Sequence, residues 1–314
     1  MRTVCCGFDE AGYGPMLGPL CVAAAAFRVA EPATDLWESL NTAVCRTPRD
    51  AARRIAFADS KKLKRPNSSK TVHPLEHLER GVLSVLQGDL TTDADLYTRL
   101  GVRLPETPCY SGDDIALPLG TDAASLRIDA NRLATAMQDA GVELVGVRCV
   151  AIWEPAFNDV VRSAGSKARA TATALVPLMR WAAKHAAEQQ DALELVCDRQ
   201  SGRTDYAPLL AECFPSAEFV RTHADDRSIG YRSRAGNTAA FQTEAEDACL
   251  PVALASMTAK LVRELAMMRF NRYWSARLPE LKPTAGYVQD ARRWLRDAAP
   301  VLTDADRASI VRIA

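Results

Sequence analysis

Two apolar, strand-like runs, residues 3–8 and 20–29, open the sequence and are joined by a glycine-rich turn over residues 9–19, the pattern of a β-hairpin. Further along, the apolar positions take helical spacing at residues 35–44 and 74–86. Between these two helices lies a polar, basic stretch containing Asp59-Ser60-Lys61-Lys62. Residues 142–152 read as a strand, 166–189 as a long helix, 193–197 as another strand and 206–213 as a short helix. Strand-like pieces at 218–223 and 229–234 precede a long amphipathic helix starting near Pro251. In it Leu254, Met257, Leu261, Leu265 and Met268 recur every three or four residues as a core stripe. Shorter helices follow Gly286-Tyr287, at 290–297 and 304–313. Strands alternating with helices predict an α/β layer architecture.

Composition narrows the class. The 314 residues are 48% apolar and 25% charged, enough for a sizeable core and unlike a disordered chain, a collagen or a coiled coil. The 39 basic and 39 acidic side chains balance, which argues against a uniformly basic nucleic-acid binder. Local charge is uneven, however. Residues 45–70 hold nine basic and two acidic side chains and residues 256–296 nine and three, nets of +7 and +6. Residues 71–150 hold twelve acidic and six basic, a net of −6, with loop signals at Pro105, Pro108, Gly112 and Pro118. This acidic part is expected to be an elaboration of the fold, and the two basic stretches are expected to leave room for a local groove that meets phosphates.

The longest apolar stretches, such as residues 21–27, fall far short of the roughly 20 residues a bilayer span needs, so no membrane partner is expected. The opening residues make a poor signal-peptide core, and a cytoplasmic protein is expected. Nine cysteines, with no C-x-x-C pair and mostly inside apolar runs, are expected to be reduced core thiols. His73 and His77 flank Pro74 with no third ligand, so the histidines carry no zinc signature.

Candidate chemistry begins at Gly7-Phe8-Asp9-Glu10-Ala11-Gly12-Tyr13-Gly14-Pro15. At a strand end followed by glycines, the backbone can turn so that both carboxylates converge on one cation, and hard oxygen donors suit magnesium or manganese. Gly12 and Gly14 let main-chain amides approach a phosphate or sugar. The plain alternative is an ordinary turn. Asp198 ends an apolar strand, and its plain alternative is an acid capping the Ser201-Gly202 turn. Asp247 stands just before the long helix, where an N-cap would also explain it.

The first motif resembles the active-site signature of type 2 ribonucleases H, the ribonuclease HII and HIII family, whose commonest form is Asp-Glu-Ala-Gly-Arg-Gly-Pro. The resemblance recurs in order at four later places: Asp59-Ser60-Lys61-Lys62-Leu63; residues 166–180 with Asp198; Asp247-Ala248-x-x-Pro251 with Ala255-Ser256 and Ala259-Lys260; and Gly286-Tyr287. It spans residues 1–314 as a single domain. Residues 88–140 and 200–240 find little counterpart, and 275–314 form a C-terminal helical extension. It implies a ribonuclease-H-like α/β fold, a mixed sheet flanked by helices.

The implied activity is divalent-metal-dependent endonucleolytic hydrolysis of the RNA strand of RNA/DNA hybrids, giving 5′-phosphate and 3′-hydroxyl ends, by a monomer. Two cations about 4 Å apart stabilise charge on both attacking and leaving oxygens of a phosphodiester. The resemblance assigns two magnesium or manganese ions to Asp9, Glu10, Asp198 and Asp247, with Asp9 bridging and Glu246 the substitute for Asp247. It places the segment Asp59-Ser60-Lys61-Lys62-Leu63 at the substrate backbone and Tyr287 against a sugar. By their chemistry Lys61, Lys62 and Lys260, with Ser60 and Ser256 as neutral donors, suit phosphates and the Gly12-Tyr13-Gly14 turn suits a 2′-hydroxyl, the plain alternatives being ordinary surface lysines and an interface or core tyrosine. Tyr13 stands where the commonest family form has arginine, as ribonuclease HIII also lacks it, which implies a preference for continuous RNA tracts over a single embedded ribonucleotide. Two further readings stay open at this level: a hybrid-binding module with weakened catalysis, and a nuclease of the same superfamily acting on branched or damaged DNA.

Overall fold

The structure, a computed structural model, describes residues 2–31, 34–50, 53–69, 71–200 and 203–313. The opening hairpin organises the rest. β1 (Thr3–Ala11) and β2 (Leu20–Val29) pair antiparallel, with Thr3 opposite Val29 and Ala11 opposite Cys21. Both strands read as continuous apolar runs because both faces are covered. Val22, Ala24 and Ala26 enter one buried cluster with Val4, Cys6 and Phe8, while Cys21, Ala23, Ala25 and Phe27 enter another on the opposite face, the period-two alternation of a strand.

β3 (Val44–Cys45) and β4 (Ile55–Ala56) form a small parallel pair apart from the main sheet. The remaining strands are β5 (Glu143–Ile152), β6 (Ala192–Asp198), β7 (Phe219–Ala224), β8 (Ser228–Ser233) and β9 (Thr238–Gln242). The seven-stranded sheet runs β5-β2-β1-β6-β9-β8-β7. β1, β6 and β9 are parallel, and β2 and β8 run against their neighbours, so the sheet is mixed as expected. Phe8 stands opposite Cys197, the last pair of the β1–β6 ladder, so the next residues, Asp9 and Asp198, stand side by side at the carboxyl edge of these two strands.

One face is covered by helices Glu154–Ala164, Lys167–Glu188 and Ala207–Cys213. The other carries the 28-residue helix Leu250–Arg277. Leu254, Met257, Leu261 and Leu265 are fully buried as the stripe required while its last member, Met268, is only partly buried, and Thr258, Arg263 and Arg269 are buried as well. This helix is therefore enclosed on nearly every side rather than amphipathic. The covering layer comes from helices Glu76–Leu86, Asp93–Leu100 and Ala123–Asp139. Two of these three lie in the segment 88–140, which reaches the core through Leu96, Tyr97 and Leu133.

Where Gly7 faces the first turn of the long helix, strand and helix touch backbone to backbone. A Cβ there would stand 2.1 Å from Val252 N and 2.3 Å from the Pro251 carbonyl carbon. Gly7→Ala is expected to force the helix off β1 at a cost of about 1–3 kcal/mol, read as a lower urea midpoint. An unchanged midpoint would contradict that contact.

The expected helix over 35–44 is shorter: only Leu36–Ser39 is helical, and Val44 and Cys45 go to β3, where the Ala43 carbonyl already accepts from Ile55 N. β9, not anticipated, sits between β6 and β8. Its two alanines weaken the local strand signal, and its neighbours on both sides supply the pairing. The Ser201-Gly202 turn lies outside the described residues. All nine cysteines are free and eight are buried. Among the described residues no helix is long and apolar enough to cross a membrane.

Candidate active site

The carboxyl ends of β1, β6 and β9 open into a cleft of about 310 Å³. In sheets with parallel strands this edge is where ligands bind. Asp9 and Glu10 come from the end of β1, Asp198 from the end of β6, and Glu246 from the turn of helix Ala245–Ala248 that follows β9; all four line the cleft. The Gly12-Tyr13-Gly14 turn forms one wall, and Ser60, Lys61, Ser256, Lys260 and Tyr287 complete it. Residues from five separated stretches of sequence thus meet in one place.

Two expected members do not enter. The Asp247 carboxylate points away and pairs with Lys62, whose Nζ donates to both its oxygens at 2.8 and 2.6 Å, while Arg46 donates to the Asp247 carbonyl at 2.7 Å. Lys62 is thereby turned from a free phosphate contact into a tie on the segment that carries Glu246. The fourth carboxylate of the cleft is Glu246, the substitute named from sequence. Arg199 and Gln200 also line the cleft without having been singled out; their position directly after Asp198 was the available signal. Arg199 is engaged with the carbonyls of Asp225 and Asp226 at 3.2 and 2.9 Å.

Electrostatics mark the four acids. Burial pushes the Asp9 carboxyl well above the usual carboxylate range; the Ser256 hydroxyl opposes this, and Asp198 and Glu10 add to it. Burial raises Glu10 to about 7, with Asp198 reinforcing the shift and Lys61 and Gln200 opposing it. Burial likewise raises Asp198, against the Ala245 and Arg199 N–H groups and Lys61. Glu246 is raised by burial and by Asp198, Asp59 and Asp247, and its Oε2 is buried without a hydrogen-bond partner. Four acids resist ionising together because burial withholds water from their charged forms and neighbouring carboxylates repel one another. Lys260 is held by Glu264 at 2.9 Å, which leaves Lys61 as the cleft lysine with no ion-pair partner among the described residues.

Ser256 ties the acids to the basic loop. Its hydroxyl donates to Ser60 Oγ at 3.0 Å and accepts from Ser60 N at 3.4 Å, beside Asp9. Asp59 caps the short helix Ser60–Leu63, accepting from Lys61 N at 2.9 Å, and so fixes where Lys61 begins. Gly286, at φ +83°, brings Tyr287 to the cleft: its carbonyl accepts from Met16 N and Leu17 N, and a Cβ would stand 2.3 Å from Leu17 O.

Among the described residues no three carboxylate, imidazole or thiol groups stand close enough together to hold a metal ion as they are. The donors instead line an open cleft. Hard oxygens, raised proton affinities and an unpartnered Glu246 oxygen fit a divalent cation of the magnesium or manganese type. A stability test follows. Between pH 4.5, the ordinary value, and about 7, folded Glu10 binds a proton that the unfolded chain has released. Its contribution to stability is complete below pH 4.5 and lost as pH rises to 7, roughly 3 kcal/mol in the metal-free protein. Wild type is expected to lose stability relative to Glu10→Gln across that window in chelator, and manganese to restore it. Parallel curves for the two proteins would contradict the assignment.

No family model matches the sequence, and no curated protein does. Solved structures do match. The ribonuclease HII structure from the PCNA complex of Archaeoglobus fulgidus is 14% identical, with 99% of this chain and 94% of that one covered and a TM-score of 0.39. Bst ribonuclease HIII in complex with Mn2+ is 15% identical, with 99% and 66% covered and a TM-score of 0.43. The chain is similar to ribonucleases HII and HIII. The ribonuclease H2 of Pyrococcus horikoshii is 13% identical over 95% of this chain and 86% of its own, with a TM-score of 0.39.

Proposed function

We propose that this protein is a divalent-metal-dependent endoribonuclease that hydrolyses the RNA strand of RNA/DNA hybrids, leaving 5′-phosphate and 3′-hydroxyl ends. The observation that carries the reading is the convergence of Asp9, Glu10, Asp198 and Glu246 in one cleft walled by a glycine turn, Lys61 and an exposed tyrosine. Magnesium or manganese, as two bound ions, would supply Lewis-acid charge for the attacking and leaving oxygens of the phosphodiester. Asp9, Glu10, Asp198 and Glu246 would hold them, with Asp9 between its neighbours.

The rest of the cleft handles substrate. Lys61 faces the backbone as a flexible cation. The Gly12-Tyr13-Gly14 turn offers main-chain groups to a 2′-hydroxyl, the group that separates RNA from DNA. Tyr13 and Tyr287, 38% and 49% exposed, present rings for sugars or bases. No arginine side chain projects from the turn to grip a single phosphate, which supports a preference for continuous RNA tracts.

Labelled RNA/DNA hybrid, duplex DNA, a four-way DNA junction and DNA with one embedded ribonucleotide, incubated side by side with wild type and Asp9→Asn, test the reading. Expected is metal-dependent cutting of the hybrid, slower incision at the single ribonucleotide, uncut DNA and an inactive variant. Junction cutting without hybrid cutting, or binding of the hybrid with no turnover, would replace it with one of the two alternatives.

A further inference from the structure

The turn between β1 and β2 has no cation of its own, yet a guanidinium reaches it from nearly three hundred residues away in sequence. Arg312 Nη1 donates to the Gly12 carbonyl and Nη2 to the Tyr13 carbonyl, the latter at 2.9 Å. Arg312 is 2% exposed, and its guanidinium lies 3.7 Å over the Phe157 ring. Its backbone is held as firmly. Arg312 N donates to Met16 O at 2.8 Å, Asn158 Nδ2 to Val311 O at 2.8 Å, and Ile313 N to Asn158 Oδ1 at 2.7 Å.

The consequence is geometric. In a trans peptide, C=O and N–H point in opposite directions. With the Gly12 and Tyr13 carbonyls drawn inward to Arg312, the N–H groups of Tyr13 and Gly14 are turned outward, toward the cleft that this turn lines. Neither donates to a protein acceptor among the described residues. Gly12 makes the reversal possible at φ +90°, and successive free N–H groups beside a left-handed residue form an anion-binding nest.

Charge behind the turn has the same sense. Arg263, fully buried, lies directly beneath Gly12, with Nε and Nη1 lacking partners, as does Arg312 Nε. The nearby carboxylate is Glu154, already accepting from Gly18 N and Tyr110 Oη. Two buried guanidinium groups against one carboxylate leave this wall of the cleft positive, opposite in sign to the acids across it.

We propose that Arg312 is a positioning residue for substrate: by fixing the Gly12 and Tyr13 carbonyls it aims two adjacent main-chain N–H groups at a backbone phosphate of the nucleic acid in the cleft. The inference rests on the reading of the cleft as a hybrid nuclease site. A positive charge that the turn's own side chains do not supply is thereby contributed from the C-terminal segment.

The test is steady-state cleavage of an RNA/DNA hybrid in manganese, with hybrid binding in calcium, for wild type, Arg312→Lys and Arg312→Gln. Expected for Arg312→Gln is a KM and Kd higher by about tenfold with kcat within about threefold, and a smaller rise for Arg312→Lys, which keeps the charge but lacks the rigid two-nitrogen fork that fixes both carbonyls. A general loss of packing would lower kcat and stability together instead. If the Arg312 variants do not fold, Asn158→Ala, which loosens residues 311 and 313 without touching the turn, is expected to raise KM in the same way. Wild-type cleavage with KM and Kd unchanged in the variants overturns the role of Arg312 alone. Wild type that neither binds nor cuts the hybrid overturns the reading of the cleft, and this inference with it.

Discussion

On the proposed reading, cleavage of an RNA/DNA hybrid is expected to fall on the order of 10³-fold in Glu246→Gln and to stay within about fivefold of wild type in Asp247→Asn. Glu246 lines the cleft and carries a buried oxygen with no hydrogen-bond partner, which is why the proposed ligand set includes it. The amide keeps its size and removes the charge. Asp247 is 45% exposed at its side chain and satisfied by Lys62, an exposed pair of the kind that contributes little. Its remaining effect would come through the tie on the Ala245–Ala248 turn, which Arg46 also holds by the Asp247 carbonyl. Initial rates at saturating manganese decide it. A dead Asp247→Asn beside an active Glu246→Gln would return the fourth ligand to position 247.

Asp93→Ala is expected to destabilise the protein by about 3–5 kcal/mol, the cost of taking away the fully buried partner of a buried guanidinium. Asp93 and Arg269 are 0% and 1% exposed, joined by Nε to Oδ2 at 2.5 Å and Nη2 to Oδ1 at 2.6 Å. Asp93 also accepts from Ile115 N at 2.9 Å and opens helix Asp93–Leu100, whose N-terminus is closed by a Thr92–Asp95 capping box. Removing it strips the long helix of its main tie to this layer. Asp114 at 2.7 Å and the carbonyls of Tyr110 and Gly112 remain with the guanidinium. The double variant Asp93→Ala, Arg269→Met should be more stable than Asp93→Ala alone, because it removes a buried guanidinium left with only the half-exposed Asp114 as counter-charge. Urea unfolding of the three proteins measures both effects, and a loss below about 1 kcal/mol would show the pair to be dispensable.

That pair also explains why charge runs misled. The acidic stretch 71–150 and the basic stretch 256–296 meet partly as Asp93 and Asp114 against Arg269 inside the protein, while Arg263 is buried beneath the turn. Charge expected to form a basic groove is in part spent on packing, and a sum along the sequence cannot distinguish the two. Asp9 and Asp198 were legible because each ends an apolar strand, and a parallel register brings two strand ends together. The choice between Glu246 and Asp247 was not. Adjacent residues on a helical turn differ in direction by about 100°, and which one faces the cleft is set by Glu244, in the left-handed region at φ +54°, a backbone choice its sequence does not announce. β9 was hidden by its alanines, and the role of Arg312 by its distance in sequence from the turn it holds.

The account stands on one measurement above the others: cleavage of a labelled RNA/DNA hybrid by the purified wild-type protein in chelator, followed by addition of magnesium or manganese. The expected result is an intact hybrid in chelator and internal cuts in the RNA strand alone once metal is added, with 5′-phosphate and 3′-hydroxyl ends. Cleavage that persists in chelator, or a hybrid left whole in both metals, would contradict it.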